Sequence, residues 1–177
     1  MRRALNFLFD AMGYLAGLFV FAIFALMIYA SIGRWLEWPT SDVNDIVAWF
    51  CAASAFLAMA HAFKNGDFVR VTLLLEHVGP STRRVMEIVS LGFAAVSIGY
   101  LAFWAGRFTY ESYVFEDMST GMLSIPIWIP QMSFVIGAGL FALAVIDELI
   151  LVLRGETPTY TRRVAERHAQ GDFSSDI

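Results

Sequence analysis

The sequence predicts an all-α membrane protein with four transmembrane helices, and three observations predict it. The 177-residue chain is 58% hydrophobic and only 16% charged, where a soluble domain carries about a quarter charged residues. Its apolar residues are concentrated in four runs, each near the roughly 20 residues a helix needs to cross a hydrocarbon core. Sixteen phenylalanines fit the same class, because a lipid-facing helix surface can be aromatic without an aggregation penalty. The net charge of −4 says little, since charge in such a protein has to be read loop by loop. The lone Cys51 excludes an internal disulfide framework and any multi-Cys metal site.

The first run, Ala11 to Gly33, has 23 residues without a charge. It follows Met-Arg-Arg, as a signal peptide would. It exceeds the roughly 7–15 residues of a signal core, however, and no small-residue cleavage site stands out at its end, so a retained anchor is expected. Gly13 and Gly17 form a G-x-x-x-G pair that would let another helix approach, or they are simply two glycines in a tolerant membrane helix. Arg34-Trp35-Leu36-Glu37-Trp38-Pro39 ends the span, with Trp35 and Trp38 suited to the membrane interface.

Thr40 or Ser41 is expected to cap the second helix, and Asp42 and Asp45 would favour the positive end of its dipole. The span itself is Ile46 to Phe63, and Asn65-Gly66 reads as its stop, Gly66 taking the left-handed conformation. Asp67 then opens a short helix over residues 67–78. Phe68, Val71, Leu74, Leu75 and Val78 share one face of it, with Arg70 and His77 together on another, so the segment is expected to lie in the interface plane. A strand over Val69 to Leu75 would leave its backbone unsatisfied at a bilayer surface.

Gly79-Pro80 breaks that helix, and Pro80-Ser81 opens the next. The third span is Ile88 to Gly106, with Ala95 and Gly99, then Ala102 and Gly106, four apart on a packing face. Arg107 to Asp117 is expected to be an acidic loop. The fourth span covers residues 126–150. Pro126 and Pro130 cannot both belong to its first turn, so one must end or kink something. Residues 1–154 thus form the membrane domain, and residues 155–177 a mobile polar tail with a short helix over Arg162 to Gln170.

Ten of the twelve Lys and Arg lie before span one, in the His61 to Glu87 connector, or after span four; only Arg34 and Arg107 lie on the other side. The positive-inside rule therefore places both termini and the connector in the cytoplasm. The outer loops carry Glu37, Asp42, Asp45, Glu111, Glu116 and Asp117, so the outer face is acidic.

Catalytic chemistry is not evident. A stand-alone small exporter should place a carboxylate at mid-membrane, and none of the four spans has an ionisable residue near its centre. A haem-carrying anchor of a redox complex needs paired histidines. The chain has His61 at the end of span two, His77 in the connector and His168 in the tail, so His61 is read as an interfacial structural residue. Asp147 and Glu148 interrupt the fourth span near its end. They are expected to reach the headgroups or to pair with a basic residue such as Arg154. No nucleotide-binding glycine loop, nucleophile–base set or metal-ligand spacing occurs, so no cofactor and no metal are expected. The basic residues follow the membrane boundaries, which gives nucleic-acid binding no support.

Three stretches resemble a known family, the small membrane subunit (DctQ type) of TRAP transporters, the tripartite ATP-independent periplasmic carriers. Arg34 ends span one as in that family, although Asp42 and Asp45 stand where glutamates are usual and Trp38 comes early. The run from Ala60 to Val71, with His61, Lys64, Asn65-Gly66, Asp67 and Arg70, is similar to the family's basic residue, Asn-Gly and Val-rich stretch. Ser124 to Pro130, with Pro126 and Trp128, is similar to the family's approach to span four.

The resemblance implies a non-catalytic small permease subunit in the bacterial inner membrane. It would stabilise and anchor a large, about twelve-span subunit that holds the substrate and sodium sites. A periplasmic binding protein would deliver an organic anion of the carboxylate or sugar-acid class, and an ion gradient would drive uptake. On this reading Arg34, Trp35, His61, Lys64, Asp67, Arg70, Pro126 and Trp128 are the candidate residues for touching the partner or anchoring the chain at the lipid interface.

Overall fold

The computed structural model describes residues 2–38, 40–68, 79–120 and 124–169. Within them the chain is all-helical: α1 (Arg2–Trp35), α2 (Val43–Asn65), α3 (Pro80–Val114), α4 (Trp128–Arg154) and α5 (Thr159–Ala169). The first four are long and apolar enough to cross a membrane. Of the interfacial helix expected over residues 67–78, residues 69–78, with Arg70, lie outside the described residues.

Helices α1 and α3 outrun the charge-free stretches that predict them. At 1.5 Å per residue, their 34 and 35 residues give rods of about 50 Å, longer than a hydrocarbon core. The acidic loop expected from Arg107 is corrected here, because α3 continues to Val114. Arg107 and Glu111 pair one turn apart at 3.1 Å, while Thr109 and Ser112 are buried and Gln131 Nε2 of α4 donates to Ser112 Oγ at 3.3 Å. A buried face with a bonded polar partner keeps the helix going past the last apolar run. The proline question resolves as well. Pro130 lies in the first turn of α4, and Pro126 precedes the helix in an antiparallel bridge with Met118. The N-cap of α2 is Asp42, rather than Thr40 or Ser41.

All four long helices end in the same hydrogen-bond pattern, with the residue just past the stop donating to the carbonyl five residues back. Asp67 N–H reaches Ala62 O and Glu156 N–H reaches Leu151 O, both at 3.1 Å; Trp38 N–H reaches Gly33 O at 2.9 Å and Asp117 N–H reaches Ser112 O at 3.1 Å. The pattern needs a left-handed residue at the stop. At the ends of α2 and α4 that residue is Gly66 and Gly155, each with φ near 80°. At the ends of α1 and α3 it is Glu37 (φ 56°) and Glu116 (φ 53°).

The spans form a row rather than a closed ring. Helix α1 packs on α2, α2 on α4, and α4 on α3, while α5 crosses the end of α2. Helices α2 and α4 run the same way, since Phe56 faces Gly137 near their middles and Lys64 meets Glu148 near their ends. The approach at Gly137 is close enough that a Cβ there would meet the Phe56 backbone at 2.6 Å. The α3 seam facing α4 includes Leu91, Ala95, Ile98, Ala105 and Thr109. Of the small residues expected on it, Gly99 has nothing within 4 Å and Gly106 sees Val135 at 3.8 Å, so the seam runs beside the glycines rather than over them. The core cluster of Phe9, Ala60, Phe63, Leu91, Ala144, Val145 and Val152 lies toward the end where α1 begins and α2 and α4 stop. It is there that charged groups are drawn inside.

Candidate functional site

The last turns of α2 carry three polar side chains on one broad face, since residues 61, 64 and 65 are three and four apart, and side chains from different neighbouring helices reach each of them.

Lys64 faces α4. Its side chain is 3% exposed, and Nζ donates to Glu148 Oε1 at 2.8 Å and to Asp147 Oδ2. Glu148 is fully buried. Its other oxygen accepts the Thr159 N–H at 2.8 Å, which places the carboxylate against the first turn of α5 and its positive dipole end. Phe9 of α1 closes the cluster, its ring centroid 5.6 Å from Nζ. A single buried charge is very costly, and the arrangement survives because both charges are paired and hydrogen-bonded. Of the two expectations for Asp147 and Glu148, pairing with a basic residue holds, but the residue is Lys64 rather than Arg154. An Arg154 side chain starts from the helix end and opens to solvent, whereas Lys64 enters from the neighbouring helix at the depth of the two acids.

His61 faces α1. Its ring lies against Gly13, where a Cβ would come within 2.7 Å of Cγ, so the first glycine of G-x-x-x-G serves an intrachain contact. Gly17 has nothing within 4 Å. His61 Nδ1 is 3.2 Å from Asp10 Oδ1, off the line of a hydrogen bond, and Nε2 is 2.8 Å from Asn65 Nδ2.

Asn65 faces α5. Its Oδ1 accepts from Arg163, and its backbone oxygen, one of the open carbonyls of a helix end, accepts from Arg167. Arg167 also holds Asp67 Oδ1 at 2.9 Å. With Oδ1 taken by Arg163, the amide turns its N–H to His61 Nε2. That nitrogen then accepts, and the proton of the neutral ring belongs on Nδ1, beside Asp10. Val164 and Tyr160 press on the turn from outside, a Cβ at Gly66 meeting Val164 at 2.7 Å and the Tyr160 ring lying 6.0 Å from that of Phe63. The polar segment after residue 155 thus contributes a helix seated on α2, and residues 170–177 lie outside the described residues.

The remaining candidates lie at the opposite end. Arg34 donates weakly to Ala30 O of its own helix at 3.4 Å, and Trp35 is 90% exposed. Trp128 packs edge-on against Tyr113 at 5.6 Å. Pro126 belongs to the small bridge between α3 and α4, where Ser119 N–H donates to Ile125 O at 2.9 Å and Ile127 N–H to Asp117 O at 3.0 Å. The structure therefore brings His61, Lys64 and Asp67 together and separates them from Arg34, Trp35, Pro126 and Trp128.

Sequence reasoning missed Asp10, Asn65 as a side chain, Arg163 and Arg167, and weighed Asp147 and Glu148 without their partner. One signal could have found the pair: Lys64 ends one apolar run, and two acids interrupt another near its corresponding end. Chemically the cluster holds one ammonium between two carboxylates, with both oxygens of Glu148 engaged and one of Asp147. Among the described residues no group of three His, Cys, Asp or Glu side chains could hold a metal ion.

Residues 23–155 match the family model described as "Tripartite ATP-independent periplasmic transporters, DctQ component". No curated protein matches the chain.

Proposed function

As the chain belongs to the DctQ component family of the tripartite ATP-independent periplasmic transporters, and is thereby the small permease subunit of such a system, we propose that its task is to anchor and stiffen a large transport subunit without handling substrate or coupling ions itself. One observation carries this reading. Asp147 and Glu148, the acids that interrupt the fourth span, both hold Lys64. Carboxylates serving as an ion site within a span must be free to take up and release a cation; Glu148 is committed through both oxygens, and Asp147 through one, to a fixed internal brace that ties α2 to α4 and, through Thr159, to α5. The result is a braced plate of helices.

On this reading both termini and the polar hub face the cytoplasm, as the charge distribution favours, and the acidic end bearing Glu37 and Glu116 faces the periplasm of a bacterial inner membrane. The partner is a large, many-span subunit, with a periplasmic binding protein acting through it. The driving force is an ion gradient and the cargo an organic anion of the carboxylate or sugar-acid class. Co-expression with a large transport subunit of this family tests the assignment. The two should co-purify in mild detergent, and uptake should require both. A chain that runs alone and supports uptake alone would overturn it.

A further inference from the structure

Next to the Lys64 cluster lies an open pocket of about 290 Å³ between the start of α1, the end of α4 and the start of α5. The brace uses Asp147 on its wall, but nothing in the subunit's role accounts for the pocket itself. We propose that it binds the headgroup of an aminophospholipid of the phosphatidylethanolamine type, with the primary ammonium at Asp147 and the phosphate at Arg162.

The charge pattern comes first. The acids Asp147 and Glu156 and the base Arg162 line one pocket, which suits a ligand with both signs a few bonds apart. Lys64 engages Asp147 through Oδ2, leaving Oδ1 able to accept from a second cation. The group of Lys64, Asp147 and Glu148, with Asp147 at its exposed edge, has one more negative than positive formal charge, so its field favours an ammonium over another anion. Arg162 is largely exposed and meets Glu166 only at 3.8 Å, which leaves most of its five donors for a phosphate. Thr157, Thr159 and Asn6 add hydroxyl and amide groups around the same space.

Position comes second. The pocket opens where α4 leaves its apolar stretch, and Leu151 lines its floor. Along α4, Leu143 and Ile150 lie on the same face as Asp147 and are exposed, one turn to either side. An apolar slope leading away from a two-signed polar pocket fits acyl chains below a headgroup. Two related lipids fit less well. A choline headgroup has no N–H to donate to Asp147, and a glycerol headgroup brings no cation to the acids.

The full chain in nanodiscs of equimolar phosphatidylethanolamine, phosphatidylcholine and phosphatidylglycerol, followed by native mass spectrometry, tests the proposal. The expected result is a several-fold excess of retained phosphatidylethanolamine. Arg162→Gln should remove that excess without moving the melting temperature, and Asp147→Asn should remove it as well. Because Asp147→Asn also loosens Lys64, the exposed Arg162 variant decides. Equal retention of the three lipids, or an undiminished excess in Arg162→Gln, overturns the proposal. So does full competition by water-soluble glycerophosphoethanolamine at the lipid's own concentration, which would mark a site for the free compound.

Discussion

Lys64 Nζ and Glu148 Oε1 are 2.8 Å apart, 84 residues apart in the chain and both removed from solvent. Breaking a buried pair by removing one partner leaves an uncompensated charge and costs about 3–5 kcal/mol. Lys64→Met should therefore lower stability by about that amount, read from thermal unfolding followed by circular dichroism in detergent. Lys64→Met combined with Glu148→Gln should recover most of the loss. A single variant as stable as the wild type would show that the charges are not buried together.

Gly13 and Gly17 are separable. Gly13→Ala drives a methyl into the His61 ring and should cost about 1–3 kcal/mol by overpacking. Gly17→Ala meets nothing in the chain and should leave the isolated subunit's melting unchanged. If Gly17→Ala lowers the yield of complex with the large subunit, it marks a position where a partner helix comes close.

The seating of α5 depends on Arg163 and Arg167. Tyr160 is only 6% exposed, so chymotrypsin can cut there only when α5 lifts away. The double variant Arg163→Ala, Arg167→Ala should speed that cleavage severalfold while the helical circular dichroism signal of the spans persists. An unchanged rate would mean the apolar contacts of Tyr160 and Val164 suffice.

Glu116 stands in the left-handed region, at φ 53°, where a side chain costs about 1–2 kcal/mol and glycine does not. Glu116→Gly should raise stability by up to about 1 kcal/mol, seen as a higher melting temperature. A fall instead would show that the Glu116 side chain makes a contact worth more than the strain.

Arg34 and Trp128 lie at the end away from the hub. Replacing either by Ala should reduce the amount of complex recovered with the large subunit while membrane insertion is retained. Full assembly of both variants would reduce them to lipid-interface anchors.

The sequence by itself determined the class of fold, the four spans and the left-handed stop at Gly66, because these depend on local matters: the length of an apolar run, the charge at its ends, and the residue able to take a positive φ. It also held the three stretches around Arg34, Lys64 and Trp128 that resemble the family later matched over residues 23–155. The extension of α3 past Arg107 was not legible, since it rests on Ser112 meeting Gln131 from another helix. The destination of Lys64 was hidden for the same reason. A lysine at a helix end and two acids inside a distant apolar run have the same local description whether they reach for headgroups or for each other. Only the parallel packing of α2 and α4, with Phe56 pressed onto Gly137, brings them to one depth. There, desolvation leaves an unpaired charge no comfortable alternative, and pairing becomes the stable arrangement.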